Sequence, residues 1–180
     1  MHLKFSAMRS TAEAVAPWML EALARAPPRG WSTMFAADSP NAVLAWVPLG
    51  TRRRRERGYD QAEVLCRALH RLTGWRVQRL LRRVKETPPQ AMRSAIDRKR
   101  ALRDAFRSVS SPPSKVVLVD DVLTTGATAS ECAGALLRAG ALEVGVLTAA
   151  RSLRGPLPAR CYTPAGLQPG SVVAREKLSR

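Results

Sequence analysis

Val116-Val117-Leu118-Val119-Asp120-Asp121-Val122-Leu123-Thr124-Thr125-Gly126-Ala127-Thr128 is the stretch on which the reading of this 180-residue chain turns. Four apolar residues predict a short buried strand, and two adjacent carboxylates stand at its C-terminal end. A Thr/Gly turn follows, and a helix of small residues is expected over Ala127–Ala139, ended by Gly140. Ligands of open α/β sheets bind beyond this end of the strands. The turn offers backbone N–H groups and hydroxyls at a helix N-terminus, which suits a phosphate, and Gly126 lets the backbone approach closely. Carboxylates beside a phosphate repel it unless they face something else, and neighbouring sugar hydroxyls are a natural partner for such acceptors. No Gly-Lys-Ser/Thr follows, so this is not a Walker A loop.

Outward from that stretch the pattern repeats. Ala42–Val47 predicts a second buried strand, stopped by Pro48, and Glu143–Ala149 a third. Between them Leu49–Tyr59 reads as a loop carrying Arg52-Arg53-Arg54-Arg55. Asp60-Gln61-Ala62-Glu63 reads as a capped helix start, running to about Leu72 and ending at Gly74. Arg76–Arg83 reads as a strand, 85–95 with Pro88-Pro89 as a mobile loop, and Ser94–Ala105 as a short polar helix. Near the start, Ser10-Thr11-Ala12-Glu13 reads as a capping box opening a helix that stops before Pro27-Pro28. From Leu153 onward Pro and Gly accumulate and periodicity is lost, so a loosely docked tail is expected. Strands alternating with helices, and core runs that are continuous, argue for an α/β fold with a mostly parallel sheet. The expected division is an N-terminal helical region over 1–40, a core over 41–151 and a tail over 152–180.

Composition narrows the function. The formal net charge is +16, and residues 51–107 hold 18 Lys and Arg against 6 Asp and Glu. That excess of 12 in under a third of the chain attracts polyanions, whether nucleic acid or pyrophosphate; the plainer alternative is a solvated, Arg-rich surface. Aromatic residues make up only 5% and Trp18, Trp31, Trp46 and Trp75 are scattered, which gives little support to a base-stacking platform. Cys66, Cys132 and Cys161 form no C-x-x-C pair, so neither a zinc knuckle nor a disulfide framework is supported. His2 and His70 stand in no ligand spacing. No apolar run approaches the roughly 20 residues of a membrane span, and no signal-peptide pattern precedes the first helix, so the expected address is cytoplasmic.

The Val116–Thr128 run resembles the signature of type I phosphoribosyltransferases at every position. The resemblance implies that fold, a mostly parallel twisted sheet flanked by helices. It also implies that Asp120 and Asp121 hold the ribose hydroxyls of 5-phosphoribosyl-1-pyrophosphate, and that Thr124, Thr125, Gly126, Ala127 and Thr128 hold its 5′-phosphate. Two further blocks are similar to the ComF family of competence proteins. The first is Pro48-Leu49 with Arg52–Arg57 and Gly58-Tyr59-Asp60-Gln61-Ala62. The second is Leu81-Arg82-Arg83, Thr87-Pro88-Pro89-Gln90, Arg98 and Ala105-Phe106. Together the resemblance covers about residues 42–151. It implies pyrophosphate contacts from Arg52, Arg57 and Gly58, and positive charge from Lys85, Arg98 and Lys99 on a mobile loop. Asp60 stands where that family has Asn, Arg93 where it has Leu and Ala101 where it has Asn. The paired C-x-x-C motifs of the family's N-terminal zinc module do not occur in the chain, so the expectation is that this lineage lost the module or that the true start lies upstream.

What the resemblance implies for function is uptake and processing of single-stranded DNA in natural transformation, near a competence helicase. If the protein is an enzyme, a nitrogen nucleophile would displace pyrophosphate from the ribose. Magnesium would be held through ligand oxygens and water, with no dedicated metal cage. The alternatives are a binding module that does not turn over, and a nucleobase-salvage transferase unrelated to DNA uptake.

Overall fold

The computed structural model describes residues 2–25, 43–85, 102–152, 161–162 and 171–174. In chain order the elements are α1 (His2–Arg25), β1 (Val43–Trp46), α2 (Thr51–Arg57), α3 (Gln61–Thr73), β2 (Arg76–Val77), β3 (Leu81–Arg83), β4 (Phe106–Ser108), β5 (Lys115–Leu123), α4 (Ala127–Arg138), β6 (Glu143–Arg151), β7 (Cys161–Tyr162) and β8 (Ser171–Ala174). Six strands form one sheet in the order β2-β1-β5-β6-β8-β7, and β3 pairs with β4 as a separate arm. The first four strands of the sheet run parallel, and β8 joins β6 antiparallel. The fold class is α/β, as expected.

The continuous apolar runs are explained by burial on both faces of the sheet. Side chains alternate along a strand, so Val43, Ala45, Val47, Val116 and Leu118 pack toward α4 and the β3–β4 arm. Leu44, Trp46, Val117 and Val119 pack the other way, with buried residues of α1 and α3. In α1 the buried side chains are Ala12, Ala16, Met19, Ala22 and Leu23, one stripe at helical spacing. The small residues Ala12 and Ala16 let the helix approach closely. Cys66 and Cys132 are fully buried, small apolar fillers as expected.

Several local expectations are corrected. Ser10 does not open a helix. It lies inside α1, where its hydroxyl donates to the Ser6 carbonyl and that of Thr11 to the Ala7 carbonyl. Both hydroxyls are satisfied one turn back, so the capping pattern has no orphan N–H to serve. The stretch over Leu49–Tyr59 is not a loop throughout, because α2 occupies its middle. Arg76–Arg83 is two short strands in two different sheets. Of the helix expected over 94–105, the described part beyond Leu102 is turning: Asp104 takes a left-handed φ of 56° and its amide donates to Glu131 Oε1 at 3.0 Å. β7 and β8 fall in the segment expected to lack regular structure. Most of the mobile loop expected over 85–95 lies outside the described residues.

The start of α3 is as the sequence predicts. Asp60 is its N-cap, Oδ1 accepting from the Ala62 amide at 3.2 Å, while Oδ2 accepts from the Leu49 amide at 2.9 Å. One buried side chain thus fastens the end of the β1 segment to the first turn of α3, with α2 looped out between them. Asp60→Ala is expected to lower stability by about 1–2 kcal/mol, the usual worth of a cap. Asp60→Asn, with one acceptor oxygen for two amides, should fall between the two in urea unfolding.

Candidate ligand-binding cleft

The register of β1 and β5 builds the cleft. Trp46 pairs with Val119, and the Val47 amide donates to the Val119 carbonyl at 2.9 Å. The next residues on each chain are therefore neighbours, Val47 and Pro48 beside Asp120 and Asp121. These four, with Leu49, Arg53, Asp60, Gln61, Ala62, Arg83, Val122 and Thr128, line a cleft of about 180 Å³. It lies beyond the C-terminal end of the parallel strands, the position open α/β sheets use for ligands.

Burial is the largest influence on Asp120 and pushes its carboxyl up from the ordinary 3.8 to about 7, with Asp121 and then Asp60 adding like-charge repulsion and the Asp121 amide partly opposing. Near neutral pH Asp120 is therefore protonated for a substantial part of the time. That removes some of the negative charge that would oppose a phosphate-bearing ligand. Burial also raises the Asp60 carboxyl, against the amides of Leu49, Glu63 and Ala62 that lower it.

The Thr/Gly turn opens α4. Gly126 takes a φ of 74° at the N-cap, a conformation that favours glycine, and no side chain caps the helix. The Thr125 hydroxyl makes a long contact of 3.4 Å with the Ala127 amide, which leaves the first-turn amides of α4 available to an anion. Thr124 and Thr125 are exposed, while Gly126, Ala127 and Thr128 are half-buried.

Of the residues singled out in sequence, the cleft brings together Asp120, Asp121 and Thr128, with Thr124 to Ala127 forming the turn that leads into it. Arg52, Arg57 and Gly58 lie on or beside α2 and are absent from the cleft lining. Arg52 pairs with Glu56 at 3.4 Å, and Gly58 caps α2 with a φ of 81°, its amide donating to the Arg54 carbonyl. Lys85 donates to the Arg103 carbonyl at 3.1 Å at the base of the β3–β4 arm. Arg98 and Lys99 lie outside the described residues.

Among the described residues, the cations that reach the cleft are Arg53 and Arg83. Neither was assigned there from sequence. Arg83 is seated by its neighbours: its guanidinium lies 5.5 Å from the centre of the Phe106 ring, and its Nε donates to the Lys85 carbonyl at 3.0 Å. Gln61 was also missed; its buried Oε1 has no partner among the described residues. The bracketing of the arginine run by Gly50 and Gly58 was the available signal, since glycine past the end of a helix is common.

The chain is 36% identical over 154 residues to DNA utilization protein YhgH of Salmonella typhimurium, covering 84% of this chain and 65% of that one. It is 39% identical over 118 residues to Competence protein F of Haemophilus influenzae, covering 63% of this chain and 51% of that one. This chain is a homologue of competence protein F. The ComF resemblance read from its three blocks is thereby borne out. The chain spans between half and two thirds of the length of these curated relatives. No family model matches it. Among solved structures, the glutamine phosphoribosylpyrophosphate amidotransferase of B. subtilis complexed with ADP and GMP is 18% identical with a TM-score of 0.46, covering 81% of this chain and 28% of that one. The allosteric regulatory enzyme of purine biosynthesis is 19% identical with a TM-score of 0.48, covering 81% and 27%. Among the described residues, no helix is long and apolar enough to cross a membrane.

A carboxyl raised in the folded state holds its proton more tightly there than in the unfolded chain. Its ionisation therefore costs stability as pH rises from the unfolded value through the folded one. For Asp120 the window runs from about 3.8 to about 7. Asp120→Asn is expected to lose part of the fall in stability that wild type shows between pH 5 and pH 8, a gain on the order of 1 kcal/mol or more at the higher pH. Urea midpoints of both proteins at the two pH values check this.

Proposed function

We propose that this ComF homologue binds 5-phosphoribosyl-1-pyrophosphate in the cleft and supports uptake and processing of single-stranded DNA in natural transformation. The observation that carries the ligand is the convergence, at the strand ends, of one carboxylate pair, one uncapped helix N-terminus and two arginines. Each part has a separate partner in such a molecule. Asp120 and Asp121 accept hydrogen bonds from the neighbouring ribose hydroxyls. The Thr124–Thr128 turn offers amides and hydroxyls to the 5′-phosphate. Arg53 and Arg83 offer forked donors to the pyrophosphate.

Magnesium belongs to this reading as a partner of the ligand. Among the described residues, no group of three His, Cys, Asp or Glu side chains is arranged to hold a metal ion. A magnesium ion would therefore take most of its oxygens from pyrophosphate and water, and when bound it would neutralise leaving-group charge. The chain's own contribution to a transfer reaction is positioning and electrostatic support. The acceptor would enter from the mouth of the cleft. The competence role rests on the relatives, one of which is named for competence and the other for DNA utilization. A competence helicase is the protein partner this reading implies, and the cytoplasm is its place of action.

Calorimetric titration of phosphoribosyl pyrophosphate with magnesium tests the site. Saturable binding is expected, abolished in Asp120→Asn/Asp121→Asn. Arg53→Gln should weaken it about tenfold, the ~1.4 kcal/mol expected of a charge-assisted contact, while Arg52→Gln should leave it within about twofold. No binding by folded wild type would end the ligand reading. Equal effects of the two arginine variants would end the assignment of Arg53.

A further inference from the structure

Gln61 is the first residue of α3, directly after the Asp60 cap, and it lines the cleft together with Asp120 and Asp121. Its side-chain oxygen is buried and has no hydrogen-bond partner among the described residues. A buried acceptor without a donor costs stability. The start of the helix does not account for it. Asp60 takes the amides of Leu49 and Ala62, and the reciprocal position of a capping box, three residues past the cap, is Glu63.

A methionine of similar length would fill this place without that cost and with a comparable helix propensity. The glutamine is explained instead by what the cleft receives. A carboxamide oxygen only accepts, so its partner has to be an O–H or N–H of the ligand. Ionised phosphate and pyrophosphate groups offer acceptor oxygens. The donors of 5-phosphoribosyl-1-pyrophosphate, the ligand of the reading on which this inference rests, are its ribose hydroxyls. We infer that Gln61 is a specificity-determining residue of the cleft, its Oε1 accepting a hydrogen bond from a ribose hydroxyl of the bound sugar phosphate.

Two ribose hydroxyls supply two protons for hydrogen bonding. Asp60, with an amide on each oxygen, is already committed to the fold. Asp120 is protonated for a substantial part of the time near neutral pH, and in that form its own O–H can donate to a hydroxyl oxygen. Asp121 and Gln61 then take one hydroxyl proton each. A neutral acceptor at this place holds the sugar without adding a further negative charge beside the pyrophosphate, as a glutamate would. It also discriminates, because a ligand without the hydroxyl leaves the buried oxygen unpaired.

The test compares Gln61→Met with wild type in the full chain. Two probes are titrated by calorimetry, phosphoribosyl pyrophosphate with magnesium and pyrophosphate alone with magnesium, and the free proteins are unfolded in urea. Affinity for phosphoribosyl pyrophosphate should fall about tenfold, the order of one lost hydrogen bond. Affinity for pyrophosphate, which carries no sugar hydroxyl, should be essentially unchanged. The urea midpoint should be unchanged or higher, because the unpaired buried oxygen is gone. An unaltered affinity for the sugar phosphate, an equal loss for both probes, or a lowered midpoint overturns the inference while leaving the ligand reading in place. Failure of folded wild type to bind phosphoribosyl pyrophosphate overturns the ligand reading, and this inference with it.

Discussion

The parallel pairing of β1 with β5 is the constraint on which the rest of the structure depends. Both strands bury apolar side chains on both faces of the sheet, so neither can slip by one residue without exchanging its two sets of packing partners. With Trp46 held opposite Val119, the chain leaves the two strands at the same level. The residues that follow, Val47 and Pro48 on one side and Asp120 and Asp121 on the other, have to share one edge. A cleft at that edge follows from the register before any ligand is considered.

Two fastenings then give the cleft its walls. Asp60 holds the return from α2 against the start of α3 through the amides of Leu49 and Ala62. On the opposite side the β3–β4 arm is anchored by the buried Leu81 and Phe106, each contributing about 1.5–3 kcal/mol by burial. The Asp104 amide bonded to Glu131 ties the same arm to α4. These fastenings put Arg53 and Arg83 in the lining of the same cleft as Asp60, Asp120 and Asp121. Burial there keeps Asp120 from ionising freely, so the cleft carries less negative charge than its composition indicates. A polyanion with hydroxyls at one end matches that division of charge.

The basic excess of the sequence is likewise divided in space. Some of it is consumed by acids: Glu63 serves both Arg54 and Arg67, and Glu13 serves both Arg9 and Arg71. These exposed pairs add little stability, but they determine which arginines remain available to a partner. What remains on α2 faces either the cleft or the solvent.

The two central strands, the α3 cap and the helix after the Thr/Gly turn were legible in the sequence because their signals are local: an apolar run, an acid ahead of a helical stripe, a glycine at a turn. The carboxylate pair and the turn were legible for the same reason, being consecutive residues on one strand–turn–helix unit. α2 was not, because a helix of five arginines, a threonine and a glutamate has no hydrophobic period, and its flanking glycines were the mark it left. α1 was read as starting at Ser10, since a capping pattern in sequence cannot reveal that its hydroxyls are already bonded one turn back. The assignment of pyrophosphate contacts went to Arg52 and Arg57, whereas Arg53 and Arg83 line the cleft. Which arginine faces inward depends on the pitch of α2 and on an arm formed by residues about 25 apart, and neither is written in any one segment. The sequence by itself determined the chemistry available, two adjacent acids, a Thr/Gly turn opening a helix and an excess of arginine, because consecutive residues carry it. Only the tertiary structure decided which of those charges share a cleft and which face water, because that depends on long-range register and packing.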